Sequence, residues 1–161
     1  MRVVFLDYDG VVNTPMWDEE GLRCRFNFPK DNKVNNFQSC QWVSEFCKRY
    51  NYSIVVTSTW RFDDNYAECL RNGGLRDDVK ILGAVPNLWY LERGDEIKAY
   101  LEDHPEIDEF LIFDDENSVG DLKDHLILCD EKVGFLLGEF LKAEKLHIKL
   151  YGGTVDTTWL F

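Results

Sequence analysis

Short apolar runs alternate with segments of helical period along this chain. Arg2-Val3-Val4-Phe5-Leu6 is β-branched and aromatic with no polar face, the pattern of a strand buried on both sides. From residue 36 to 50, Phe37, Cys40, Val43, Cys47 and Tyr50 step by three, three, four and three, the stripe of an amphipathic helix. Ser53-Ile54-Val55-Val56 predicts a second buried strand, and residues 61–72 a second helix ending at Gly73-Gly74. A weaker apolar run over 79–85 predicts a third strand. Ile97, Tyr100 and Leu101 lie at helical spacing, and that helix stops before Pro105. Phe110-Leu111-Ile112-Phe113 predicts another strand, residues 125–129 a last one, and residues 137–147 a closing helix. Residues 13–35 are polar and turn-rich and take no assignment, while residues 154–161 are apolar enough to dock on the body.

Strands separated by helices predict an α/β fold: three layers, Rossmann-like, around a mainly parallel sheet of five strands. The chain has 161 residues, no linker-like stretch and no repeat, which fits one domain over residues 1–161 with residues 13–35 as a flap or short insertion. In such sheets ligands sit beyond the carboxyl ends of the strands, so the residues that follow each strand are the candidates for chemistry.

Charge narrows the partners. With 18 basic and 30 acidic residues the formal net charge is −12, and the long-range field repels duplex DNA and anionic membranes while favouring divalent cations. A local basic groove stays open: Arg23, Arg25, Lys30 and Lys33 are interleaved with Phe26 and Phe28, which suits either a solvated loop or contact with a single nucleic-acid strand. The five cysteines form no C-x-x-C pair, and no histidine stands at zinc spacing from one, which argues against structural zinc. An odd, scattered set of thiols is expected of a cytoplasmic protein. No run approaches the ~18–20 apolar residues of a membrane span, and Asp7 and Asp9 interrupt any signal-peptide core, so no membrane partner is expected.

The residues after the strands carry a common chemistry. Asp7-Tyr8-Asp9-Gly10 follows the first strand, Thr57-Ser58-Thr59-Trp60-Arg61 the second, and Asp114-Asp115-Glu116 the Phe110 strand. Arg93, with Lys98 further on, heads the intervening helix. Asp7 and Asp9 point the same way in an extended chain, with Gly10 free to turn behind them. Asp7 as a carboxylate nucleophile attacking phosphorus would meet a repulsion of roughly 4 kcal/mol for unit charges ~4 Å apart at an effective dielectric of ~20. Cations must offset it. Asp114 and Asp115 would hold Mg²⁺ against Asp7, Arg93 or Lys98 would clamp the phosphate, and Thr57 and Ser58 would donate to its oxygens. Asp9 would serve as general acid and then base. Each piece has a plainer reading: D-x-D-G is also a turn, Thr57 and Ser58 are also helix caps, Trp60 fits a core as well as a base-stacking platform, and Arg61 fits solvent as well as phosphate.

Taken in order, the motifs resemble those of the haloacid dehalogenase (HAD) superfamily of phosphohydrolases. VVFLDYDG is similar to its first motif, SIVVTS to its second, Arg93 in RGDEI to its third and FLIFDD to its fourth, over residues 3 to 115. TSTWR, the later GGL, RGDEIKAYLEDHPEIDEFLIFDDE and a following G-F further resemble the small HAD domains associated with RNA-repair proteins. The resemblance implies a first strand lying between the second and fourth, an aspartyl-phosphate on Asp7, and Mg²⁺ held by the Asp7 side chain, the Asp9 carbonyl and acids from the pair Asp114 and Asp115. Neither insertion site, residues 13–35 nor 62–92, has room for a full cap domain. An open pocket suits a large phosphorylated substrate such as an RNA or DNA end, with Trp60, Arg61, Arg23 and Arg25 as candidate contacts. Two other readings stay open: a metal-dependent nuclease using the same acids, and a non-catalytic binding module on the HAD fold.

Overall fold

The computed structural model describes residues 1–14 and 37–155. Its elements run β1 (Arg2–Leu6), α1 (Phe37–Tyr50), β2 (Tyr52–Val56), α2 (Tyr66–Asn72), β3 (Ile81–Ala84), α3 (Arg93–Asp103), β4 (Glu109–Asp114), β5 (Leu126–Leu128) and α4 (Leu137–Tyr151), with 3₁₀ turns at Thr59–Phe62 and Gly120–His125. The strands form one sheet in the order β3-β2-β1-β4-β5, and every neighbouring pair is parallel. The expected α/β architecture of five strands is therefore present, with β1 between β2 and β4. That position is the switch point, because the chain proceeds from β1 toward β3 on one side and returns through α3 to β4 on the other.

Side-chain alternation along the buried strands builds the layers. Val4, Leu6, Ile54, Val56, Leu111 and Phe113 face one core with Val43, Phe46 and Phe140 from α1 and α4 and Leu70 from α2. Val3, Phe5, Val55 and Ile112 face the other, covered by Ile97 and Tyr100 of α3 and by Val119. Register matters most for function. Leu6 lies opposite both Val56 and Phe113, so Asp7, Thr57 and Asp114, the next residue of each strand, emerge side by side at one edge.

The structure departs from the pattern-based reading in a few places. The single helix expected over 61–72 is divided into the 3₁₀ turn and α2, because Asp63 adopts extended backbone (φ −87°, ψ 132°) and Asp63-Asp64-Asn65 are poor helix formers. Helix α4 continues past residue 147 to Tyr151, whose hydroxyl donates to the Phe110 carbonyl (2.9 Å). Of the segment expected to dock, Thr154 and Val155 are exposed, and residues 156–161 lie outside the described residues. The flap expected over 13–35 and the basic cluster from Arg23 to Lys33, Arg25 included, lie outside them as well, apart from Asn13 and Thr14. Among the described residues, no helix is long and apolar enough to cross a membrane.

Candidate active site

The D-x-D-G segment is shaped by backbone bonds. The Asp7 N–H donates to the Phe113 carbonyl (3.0 Å), which extends β1–β4 pairing by one residue, and the Tyr8 carbonyl then accepts from the N–H groups of Val11, Val12 and Asn13 (3.1, 2.9 and 2.8 Å). Gly10 sits in the turn at φ +77°. A Cβ there would stand 2.3 Å from Asp115 Oδ2, so glycine serves both the left-handed backbone and the close approach of the Asp115 carboxylate.

Asp9 is exposed but held from both sides. Asn13 Nδ2 donates to its Oδ1 (2.8 Å) and Trp60 Nε1 to its Oδ2 (3.1 Å). The Trp60 ring meets Tyr8 edge-on, with centroids 5.4 Å apart, and the buried Tyr8 hydroxyl donates to the Tyr66 carbonyl (2.9 Å). Trp60 thus packs its ring against the core and spends its polar edge on Asp9. The sequence reading of Trp60 offered core or base platform; its ring packs against the core and its N–H serves a carboxylate as well.

After β2, Thr57 and Ser58 do different things. Ser58 Oγ accepts from the Trp60 N–H (3.2 Å) and caps the 3₁₀ turn. Thr57 is fully buried and its N–H donates to the Leu6 carbonyl (2.9 Å), yet its hydroxyl has no hydrogen-bond partner. An unpartnered buried hydroxyl costs about 1–3 kcal/mol, a cost removed when an acceptor or donor arrives. The Arg61 side chain is only 5% exposed and turns back on the protein. Its Nη1 donates to the carbonyls of Thr57 and Ser58 (2.6 and 2.9 Å) and its Nη2 to Glu96 Oε1 (2.9 Å), which ties the second-motif loop to α3. Burial pulls the Arg61 guanidinium down from its ordinary value, and the Glu96 charge opposes this.

Helix α3 delivers the cation. The Asp95 carboxylate accepts from the Glu92 N–H (3.2 Å), closing the first turn. Gly94 lets that turn approach the next loop, since a Cβ there would lie 2.5 Å from the Val119 carbonyl oxygen. Arg93 is the first helical residue. Its Nη1 stands 2.5 Å from Asp114 Oδ2 and 3.1 Å from Asp7 Oδ2. Lys98 is elsewhere: its Nζ pairs with Asp121 Oδ1 (2.5 Å) at the surface. Of the two sequence candidates, Arg93 is the one in contact with the acids.

Carboxylate oxygens of Asp7, Asp114 and Asp115 all lie within 4.8 Å of one another. Burial, then the Asp7 charge, pushes the Asp114 carboxyl above its ordinary range, against the pull of Arg93. Burial, followed by Asp7 and Asp114, pushes Asp115 up to about 7. One guanidinium faces three acids, so the cluster keeps an excess of hard, anionic oxygen. That donor set fits Mg²⁺, which takes carboxylate oxygens and otherwise keeps water or phosphate.

Sequence reasoning did not find Asn13 or Glu96. Asn13 lies four residues after Asp9, a local spacing that carries the signal; the Arg61–Glu96 pair spans 35 residues and leaves no local trace. The profile of the family described as "HAD domain in Swiss Army Knife RNA repair proteins" matches residues 3–139. No curated protein and no solved structure matches the chain.

Proposed function

Since the chain belongs to the family of HAD domains in Swiss Army Knife RNA repair proteins, we propose that it is a Mg²⁺-dependent phosphohydrolase, folded as one domain, acting on the terminal phosphate of a nucleic acid. The observation that carries this reading is the convergence of Asp7, Asp114, Asp115 and Arg93 beside the unpartnered Thr57 hydroxyl at one sheet edge. An Asp7 oxygen attacks phosphorus, the bond to the leaving oxygen breaks, and Asp9 gives that oxygen its proton. Asp9 then takes a proton from water, the hydroxide displaces Asp7, and inorganic phosphate leaves. Arg93 and the Thr57 hydroxyl bind the phosphoryl oxygens, where charge and hydrogen-bond donors count most in the transition state. Bound Mg²⁺ would be held by Asp7, Asp114 and Asp115, together with the Asp9 carbonyl that the motif resemblance implies, and would supply neutralising charge between nucleophile and phosphate. A nuclease built on the same acids has no need of the Thr57 hydroxyl or of Arg93. Comparing release of inorganic phosphate from end-phosphorylated oligonucleotides with cleavage of internal linkages separates the two; internal cleavage without phosphate release sinks the phosphatase reading.

Two further outcomes are expected. Trp60→Phe keeps the ring and removes the donor to Asp9, so kcat falls by about tenfold, the worth of one hydrogen bond to a charged group. The loss is larger for an alkyl phosphate, whose leaving oxygen needs a proton, than for a nitrophenyl phosphate; equal losses would mean that Trp60 does not position the acid. Mg²⁺ affinity, followed by calorimetry, rises as pH increases through about 7, because the proton on Asp115 competes with the metal below that point. A flat pH dependence with no proton release would contradict metal binding by Asp115.

A further inference from the structure

A cavity of about 380 Å³ opens beside the acids, and Arg93 belongs to its wall together with Thr59, Arg61, Phe62, Trp89 and Leu91. The aromatic residues at its mouth are the unusual feature. Trp89 is 84% exposed and Phe62 52%, in a chain whose other tryptophans among the described residues, Trp42 and Trp60, pack against the core. Exposing these rings has a hydrophobic cost, and clustered exposure of this kind marks a binding surface. Their arrangement is ordered. The Arg61 guanidinium carbon lies 4.7 Å from the centroid of the Phe62 ring. Phe62 in turn is near-parallel to Trp89, with centroids 6.1 Å apart and an interplanar angle of 13°. The layers Arg61, Phe62 and Trp89 form a column rooted in the buried second-motif loop, and Trp89 is its exposed outer layer.

The charge around this column says what it can take. Glu92, Glu96 and Glu116 line the same cavity with Arg61 and Arg93, Glu96 being paired with Arg61, so the wall keeps a small excess of negative charge that disfavours a phosphate chain and leaves a flat, uncharged ring as the suitable occupant. Arg93 connects the cavity to Asp7 and Asp114, so a ring placed there belongs to the molecule whose phosphate is being attacked. On the reading of this site as an end phosphatase, on which the inference rests, we propose that the Phe62–Trp89 column is a stacking subsite for the unpaired base of the phosphorylated terminal nucleotide. The base extends the column on the free surface of Trp89, and the strand beyond it leaves toward solvent, away from the glutamates. Stacking of this kind tolerates any base. It requires the terminal nucleotide to be single-stranded or frayed.

The test compares two oligonucleotides that differ only in whether the phosphorylated terminal nucleotide carries a base or is abasic, with 5′- and 3′-phosphate versions of each. Wild-type protein is expected to favour the base-bearing end in kcat/KM by roughly tenfold or more, with the difference in KM, the size of one base stacked on an aromatic ring. Trp89→Ala is expected to bring that ratio close to one, and Trp89→Phe to restore most of it. A ratio close to one in the wild type, or one unchanged in Trp89→Ala, overturns the subsite. Binding of the same oligonucleotides to Asp7→Asn, alone and combined with Trp89→Ala, gives the same comparison without turnover. If wild type releases no phosphate but the binding ratio still depends on Trp89, the phosphatase reading fails and the stacking surface stands. If phosphate is released with no dependence on the base, the reverse holds.

Discussion

Asp7→Asn is expected to lower Mg²⁺-dependent phosphate release by roughly 10⁴-fold or more, the scale on which enzymes lose rate when the nucleophile is removed. The substitution keeps the shape of the side chain and leaves untouched the backbone bond from residue 7 to the Phe113 carbonyl. It removes the attacking oxygen's charge, and the Asp9 carboxylate two residues on is held by Asn13 and Trp60. Asp114 ends β4 and Asp115 follows it, and in the proposed mechanism both would hold the metal rather than attack phosphorus. The variant is expected to fold at least as well as the wild type, because one of three crowded acids becomes neutral while Arg93 keeps its contact with Asp114. Thermal unfolding of the two proteins in the absence of metal checks this. A large drop in Tm alongside the loss of activity would make Asp7 a structural residue, and unchanged activity would end the mechanism.

The second large effect concerns Arg93→Ala. Two consequences follow from one side chain. Catalysis loses a charged group aimed at the phosphoryl oxygens, about 10²–10³-fold in kcat if the contribution matches that of a single oxyanion-hole donor. Stability falls as well, since the fully buried Asp114 loses its cation, and breaking one partner of a buried pair costs about 3–5 kcal/mol. The pH dependence carries the sign. Burial and the Asp7 charge raise the Asp114 carboxyl, which Arg93 touches, above the ordinary carboxyl range, so as pH falls it takes up a proton and needs Arg93 less. The stability gap between wild type and Arg93→Ala therefore narrows as pH falls from neutrality and Asp114 becomes protonated. Saturating Mg²⁺ narrows it too, because a cation binding the folded state beside Asp114 replaces the charge that only the variant lacks and so stabilises the variant more. Arg93→Lys is expected to recover part of the stability and little of the rate, since an ammonium lacks the planar fork of donors. A gap that stays constant with pH and with Mg²⁺ would mean that Arg93 acts through packing alone.

Much of this architecture was legible in the chain because its signals are local. The runs at Val3–Leu6, Ser53–Val56 and Phe110–Phe113 have no polar face, and only a sheet covered on both sides accommodates that. Residues at the ends of such strands must emerge at one edge once the strands are parallel, so the grouping of Asp7, Thr57 and Asp114 follows from the sequence pattern. What stayed hidden depends on contacts between distant segments. Trp60 offers the same hydrophobicity to a periodicity argument whether its N–H meets water or Asp9, and only the turn at Tyr8–Asn13 brings Asp9 within 3.1 Å of it. Arg61, three residues after Ser58, fitted solvent as well as phosphate in the sequence. Its partners are the carbonyls of Thr57 and Ser58 and Glu96, a carboxylate that arrives from another helix. Lys98 and Arg93 stand on the same helix and are equally basic. The first turn of α3 lies against the loop at Ser118 and Val119 through Gly94, whereas Lys98, a turn later, meets Asp121 at the surface.

The stereochemical course at phosphorus tests the central claim most directly. Hydrolysis of an oligonucleotide whose terminal phosphate is made chiral with sulfur and oxygen isotopes, carried out with wild-type protein and Mg²⁺, reports how many displacements occur. It does so even when the covalent intermediate never accumulates. Two in-line displacements, first by Asp7 and then by water, give net retention of configuration, and retention is the expected result. Inversion would mean that water attacks the substrate directly, and would contradict the assignment of Asp7 as nucleophile.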